Sequence, residues 1–312
     1  MVDRPMQDYE KGKMLNKGAF GSAFLARCKK SDTMVVIKMV DISKCSKKER
    51  DSARKEVSIL GALKHPNIIE YRDSFEDGGF LCIVMAFADG GDLTGRIKVQ
   101  QGLRKGFSED QILDWFVQIC LGMKHVHDRK ILHRDLKSQN IFLTGSHKII
   151  KLGDFGIAKV LDSTNGFAKT SIGTPYYLSP EICEGRPYSF KSDVWSLGVV
   201  LYELCTLRCP FDAANLNALI LKIVRNCYSP IPTTYSRPLS ALVDTLLSKN
   251  PSHRPNMNEL LRSPVLTARI ATFLDQNARK EEFSHTVLHG VKTKLADVSQ
   301  LETRRVPPPG AA

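Results

Sequence analysis

The sequence predicts an α+β chain in two lobes: a small, mainly antiparallel β lobe with one key helix, then a larger, mainly α-helical lobe. Three observations predict it. Up to about residue 88, short β-leaning segments alternate with Gly-rich or polar turns around a single charged helical stretch. From about residue 90, apolar residues recur at helical spacing instead. With 312 residues, 42% hydrophobic and 25% charged, the chain is long enough for two lobes and a good core. The expected divisions are residues 1–88, residues 89–276 and a tail over 277–312.

In the first lobe, GKMLNKG, SAFLARC and VVIKMVDI read as three strands separated by Gly or by the turn KKSDT. KKERDSARKEVSILGALKH reads as a helix stopped by His65–Pro66. IIEYRDSF and FLCIVMAF follow as two strands joined by EDGG. In the second lobe a helix runs from Asp92 to Gln101, and Ser108 with Gln111 forms a capping box for a long helix ending near His127. DVWSLGVVLYELCTL is apolar almost all round, which predicts a buried central helix. Leu216 to Arg225, Pro238 to Ser248 and Met257 to Arg262 are further helices. In the tail, Phe283, Val287, Val291, Leu295, Val298 and Leu301 recur at three- and four-residue steps. A helix that docks on a partner or self-associates and a loosely packed tail both fit that pattern, and Gly290 weighs against a continuous helix.

The formal net charge is +12 and the pI about 9.3. A basic enzyme holding a polyanionic nucleotide fits this balance. No zinc-finger spacing, RNP-like motif or basic–aromatic strip points to direct nucleic-acid binding. Eight cysteines without a CxxC pair read as reduced thiols of a cytosolic or nuclear protein. The polar start MVDRPMQDYE is no signal peptide, and the apolar stretch around LGVVLYELC is about half a membrane span. The expectation is therefore a soluble cytoplasmic protein with no membrane partner.

Chemistry concentrates in HRDLKSQN at 133–140, followed by DFG at 154–156. This run orders Asp135, Lys137, Asn140 and Asp154 as phosphoryl transfer from ATP requires. Asp135 is the candidate base for a substrate hydroxyl, and Lys137 the cation over the transferring group. Asn140 and Asp154 are the candidate Mg²⁺ ligands, since that ion takes oxygen donors and keeps several waters. Asn16, Lys17, Gly18, Ala19, Phe20, Gly21, Ser22 and Ala23 lie between the first two strands, where Gly18 and Gly21 would let backbone amides approach phosphate. Lys38 ends VVIK on the third strand, and Glu56 on the next helix is its expected ion-pair partner. Lys55 and Arg54 are the alternative, solvated partners for that carboxylate. Glu181 and Arg254, far apart in the chain, would each read alone as a surface charge.

These residues resemble the eukaryotic protein kinase superfamily over about 9–275. HPNIIEYRDSFE, GGDL, HRDLKSQNIFL, KLGDFGIAKVL, GTPYYLSPEI, KSDVWSLGVVLYELCTL and NPSHRP resemble the NIMA-related (NEK) kinases more closely. The resemblance implies a bilobal kinase fold with ATP and Mg²⁺ between the lobes. It puts Phe142 beneath the adenine, Asp92 near the ribose, and backbone groups of Ala86 and Ala88 on the adenine edge beside a gatekeeper at Met85. Leu60, Tyr71, His133 and Phe155 would stack, anchored by Asp193. Together, Glu181 and Arg254 resemble the buried pair that ties a kinase activation segment to its helical lobe. Lys137 with Thr174 looks like the Ser/Thr-specific pattern. Arg134 beside the base implies an activation-loop phosphate at Thr170, with Ser171 next to it, making this a phosphoprotein. A cell-cycle, microtubule or cilium/flagellum role is also implied, with partners at microtubules, centrosomes or basal bodies and a cytoskeletal or nuclear location. Three positions depart from the usual pattern. Asn16 replaces a Gly, with tolerance of left-handed backbone as its merit; Ala23 and Val36 exchange a large and a small residue above the adenine; Ala86 replaces an acidic hinge residue. No catalytic residue is missing, which argues against a catalytically dead scaffold.

Overall fold

The structure is a computed structural model and describes residues 6–18, 21–155 and 175–275. Strands β1 (Tyr9–Gly18), β2 (Gly21–Cys28), β3 (Thr33–Asp41), β4 (Tyr71–Asp77) and β5 (Phe80–Ala86) pair antiparallel in the order β1-β2-β3-β5-β4. Alternation along β3 decides its two faces. Val35 and Ile37 join Ala26, Phe75, Cys82 and Val84 in an outer cluster, against which Met6 and Tyr9 pack. Val40 joins Leu81 and Ile83 against Ala53 and Val57 of helix α1 (Lys47–Gly61). By the same period, Val36 and Lys38 share the face of Val40 and look into the cleft.

Two boundaries differ from the sequence reading. Helix α1 begins at a full capping box, with Glu49 N on Ser46 Oγ at 3.3 Å and Ser46 N on Glu49 Oε2 at 2.7 Å. It stops at Gly61 rather than His65, because tight turns at Ala62 and Leu63 bury the Leu63 side chain. Strand β4 begins at Tyr71 rather than Ile68, because that stretch pairs with the other lobe. Ile69 N donates to Leu152 O at 2.7 Å, and Leu152 N to Asn67 O at 2.8 Å.

The second lobe holds α2 (Leu93–Gly102), α3 (Glu109–Asp128), the hairpin β6 (Ile141–Thr144) and β7 (Ile149–Leu152), and α4 (Pro180–Cys183). Helices α5 (Phe190–Thr206), α6 (Leu216–Arg225), α7 (Arg237–Leu246), α8 (Met257–Leu261) and α9 (Pro264–Asp275) complete it. Helix α5 is buried from Ser192 to Cys205, as its all-round apolar sequence predicts. Ser108 caps α3 by accepting from Gln111 N at 3.2 Å, but Gln111 returns no bond among the described residues, so half of the expected box forms. Helix α9 has no counterpart among the expected elements. It is held by buried Leu266 and Ile270 and by Arg269, which pairs with Asp110 and, at 3.2 Å, with Asp114 on α3. Among the described residues no helix is long and apolar enough to cross a membrane. The tail over 277–312 lies outside the described residues.

Candidate active site

The loop before β6 carries Asp135, Lys137 and Asn140, and its shape is imposed from below. Asp193 of α5 is fully buried and accepts from His133 N at 3.0 Å and Arg134 N at 3.1 Å. Its carboxylate also meets His127 Nε2 at 2.9 Å and accepts from Tyr188 OH at 2.5 Å. Burial alone would raise its pKa, but the bonds from His127 and Tyr188 and the nearby His133 outweigh it, and the carboxyl stays below its ordinary range. A buried anion with four donors can hold a backbone that Arg134 enters at φ +64°.

On that loop Asn140 Nδ2 donates to Asp135 O at 2.7 Å and to Asp135 Oδ2 at 2.8 Å. Lys137 Nζ lies 2.8 Å from the same Oδ2. The base candidate is thus fixed by a neutral amide and a cation. The amide of Asn140 being used, its Oδ1 takes no hydrogen bond among the described residues and is available to a cation. Gly153 N donates to Asn140 O at 2.9 Å, which sets Asp154 beside this loop. Asp154 has φ +49°, and its Oδ1 receives Lys38 Nζ at 2.7 Å. Asn140 Oδ1 and the Asp154 carboxylate are the hard oxygen donors that Mg²⁺ accepts. Among the described residues no three of His, Cys, Asp and Glu form an ion site by themselves; Asn140 and Asp154 would hold Mg²⁺ together with nucleotide oxygens and water. Mg²⁺, when bound, offsets the charge of those phosphate oxygens.

The roof is β1 to β3. Gly18 faces Gly21, Lys17 faces Ser22 and Asn16 faces Ala23 across the β1–β2 turn. Asn16 lies in the strand and is not among the residues with positive φ, so the expected use of Asn for left-handed backbone is corrected: an extended strand needs none. Gly21 has a packing reason besides its expected role near phosphate. Its φ is +133°, and a Cβ there would lie 1.9 Å from Met39 O of β3. Ala23 faces Lys38, and Val36 faces both Leu25 and Met85. Ala23 and Val36 are therefore diagonal neighbours on one face. At the cleft edge Ala86 N donates to Glu70 O at 2.9 Å. Asp92 caps α2 by accepting from Gly95 N at 2.8 Å, and it bridges to Phe142 of β6. The Phe142 ring would lie 2.8 Å from a Cβ on Gly153, so the cleft floor needs glycine before Asp154.

His133 and Phe155 stack at 4.6 Å, and burial lowers the His133 pKa, so its ring is a neutral packing group as expected. Above them, Leu60, Tyr71 and Phe155 border a cavity of about 20 Å³ shared with Lys38 and Asp154. The expected stack is seen directly at its base, in the His133–Phe155 contact.

Glu181 of α4 and Arg254 make the predicted pair, with both guanidinium nitrogens on both carboxylate oxygens at 2.8 and 2.9 Å. Ser192 Oγ adds a bond at 2.7 Å, and Arg254 stacks 4.9 Å over Trp195. Burial pushes the Glu181 pKa up, but bonds from Arg254 and Ser192 more than reverse this and bring it to about 2. Arg54 pairs with Asp51 and Glu76. The Glu56 side chain, Ala19, Thr170, Ser171 and Thr174 lie outside the described residues.

One linkage was not read from the sequence. Ser138 Oγ meets Thr94 Oγ1 at 2.7 Å and Tyr177 OH at 2.9 Å, and Tyr177 OH donates to the buried Glu203. The Cys209 thiol donates to the other oxygen of Glu203 at 3.2 Å. This chain ties the catalytic loop to the segment before α4 and to α5. Lys137 sits one residue from it.

The protein kinase domain model matches residues 9–266. The chain is 52% identical over 278 residues to mouse serine/threonine-protein kinase Nek1, covering 89% of this chain and 23% of that protein. It is 50% identical to human Nek5, covering 91% of this chain and 40% of that protein. With nekl-2 of Caenorhabditis elegans it shares 43% identity, over 84% of this chain and 75% of that protein. The chain thus spans between about a quarter and two-fifths of the length of the first two relatives.

Proposed function

Because this chain belongs to the protein kinase family and, within it, to the NIMA-related serine/threonine kinases, we propose that it transfers the γ-phosphoryl group of ATP, with Mg²⁺, to Ser and Thr hydroxyls of proteins. The observation that carries this is Asp135 Oδ2, held at 2.8 Å from both Asn140 Nδ2 and Lys137 Nζ. Asp135 takes the proton as the hydroxyl oxygen bonds to phosphorus, and the bond to the ADP oxygen breaks. Lys137 offsets charge on the moving group, and Lys38 positions the nucleotide phosphates. Labelled ATP with a Ser/Thr peptide array tests it: the wild type labels Ser/Thr peptides and Asp154→Ala does not. Equal labelling by both would sink the assignment.

Regulation and place of action are read from the resemblance and from charge. A phosphate at Thr170, seconded by Ser171, would bring nearly two negative charges toward Arg134 and order the loop. Thr170→Ala should then lose most turnover, and full turnover would refute the switch. The basic surface fits the acidic protein surfaces of microtubule structures, including centrosomes and basal bodies, in the cytoplasm. Truncation at residue 277 separates recruitment from catalysis: phosphotransfer should persist while partner binding or self-association falls.

A further inference from the structure

Away from the cleft, the C-terminal end of α2 carries a basic surface around exposed apolar side chains. Val99 and Leu103 lie one helical turn apart and are 52% and 65% exposed, so they form one strip in water. Between Asp92 and Glu109 the chain carries Arg96, Lys98, Arg104 and Lys105 and no Asp or Glu. Gln101 Nε2 donates to Leu207 O at 2.5 Å, which sets Arg208 beside this helix end. Tyr235 OH donates to Phe107 O at 2.9 Å, which brings Arg237 to the same loop. Glu109, the acid that follows this loop, is engaged by Ser236 N at 2.8 Å and Ser236 Oγ at 2.5 Å. Lys98, Arg104, Lys105, Arg208 and Arg237 are exposed and make no ion pair among the described residues.

A helix C-terminus favours cations, which accounts for Arg104 and Lys105. It accounts as well for Arg208, which lies just past the end of α5, but not for Arg237, which opens α7 where the dipole disfavours a cation. Nor does it explain two large apolar side chains exposed together among the charges. We propose that this surface docks an acidic segment of a substrate or partner protein, with carboxylates against the cations and bulky apolar residues on Val99 and Leu103. Charge complementarity selects this occupant. The chain's own residues 277–312 carry six Lys/Arg against four Asp/Glu, and a second copy would present the same basic face.

The test uses the full chain and a short fluorescein-labelled peptide in which Asp and Glu flank two leucines one helical turn apart, read by anisotropy. Saturable, salt-sensitive binding is expected. It should weaken at least about tenfold in the triple variant R104E/K105E/R208E, in Leu103→Ser, and when the peptide leucines become serine. Phosphotransfer to a peptide lacking the acidic segment should be unchanged in both variants, showing that they fold. Binding should also survive Asp154→Ala, so failure of the catalytic reading would leave this result standing. Four outcomes would overturn the proposal. These are no saturable binding, equal binding by the triple variant, binding of anionic phospholipid vesicles but not of the peptide, or self-association that the triple variant abolishes.

Discussion

Glu181 and Arg254 show most plainly what a single charge does in this interior. Their side chains are 4% and 0% exposed, so each desolvated charge depends on the other. Glu181→Gln should cost about 3–5 kcal/mol, because it leaves the guanidinium buried beside a neutral amide. Urea unfolding would show it; a loss under about 1 kcal/mol would mean that water relieves the charge. Because the folded pKa is about 2 against an ordinary 4.5, the pair stabilises fully above the ordinary value and loses its effect as pH falls toward 2. Residues of this kind were legible in the sequence because the chemistry admits few alternatives: Asp135, Lys137, Asn140 and Asp154 were read from their order. Tyr177 was not, since its partners Ser138 and Glu203 are 39 and 26 residues away and nothing local marks them. Tyr177→Phe removes a hydroxyl that accepts from Ser138 N at 3.2 Å and donates to Glu203. Turnover should fall about tenfold or more with KM for ATP little changed. A change confined to KM for ATP would place Tyr177 elsewhere in the mechanism.

At the scale of elements, the roof of the cleft depends on how closely β2 approaches β3. Gly21→Ala would force a Cβ to 1.9 Å from Met39 O at a φ that L-residues avoid. It should therefore lower the melting temperature and ATP affinity together, whereas Gly78→Ala, with open space around it, should leave ATP affinity alone. Equal effects would reject the steric reading. Ala23 and Val36 are diagonal neighbours through the Ala23–Lys38 and Leu25–Val36 pairs. Exchanging both, Ala23→Val with Val36→Ala, should bind ATP far better than the two single changes predict; strict additivity would show that they do not share one volume. Element types were readable where periodicity was long, as in α3, α5 and the five-strand sheet. Ends were not. Helix α1 is stopped by local turns at Ala62 and Leu63, strand β4 is trimmed by bonds to Leu152, far away in sequence, and β6 and β7, at four residues each, are too short to carry a period. Pro264, at the start of α9, is a helix-start signal present in the sequence.

The two lobes meet where the segment after α1 crosses α3 and β7. Asn67 Nδ2 donates to Gln118 Oε1 at 3.0 Å and Ile150 O at 2.9 Å, and β7 then runs directly to Gly153 and Asp154. His65 and His125 stack beside it at 5.0 Å, 6% and 2% exposed. Burial, then the charges of neighbours including Arg129, lowers their pKa values to about 3 and about 4. Unfolding frees both to take up protons below 6.5, so stability should fall with pH from there, by up to about 1.4 kcal/mol per pH unit for each. Replacing both by Gln should flatten urea-derived stability between pH 6.5 and 4.5, above the range where Glu181 matters; an unchanged slope would move the acid sensitivity elsewhere. None of this junction was visible in the sequence, where His65 read only as the end of a helix. The most direct measurement is single-turnover transfer from labelled ATP to a Ser/Thr peptide, with nucleotide binding followed in parallel, for wild type and Asp135→Asn. Binding should be nearly unchanged while transfer falls by about a hundredfold or more. Equal transfer by the two proteins, or a wild type that binds ATP and transfers nothing, would contradict the assignment of Asp135 and of the site around it.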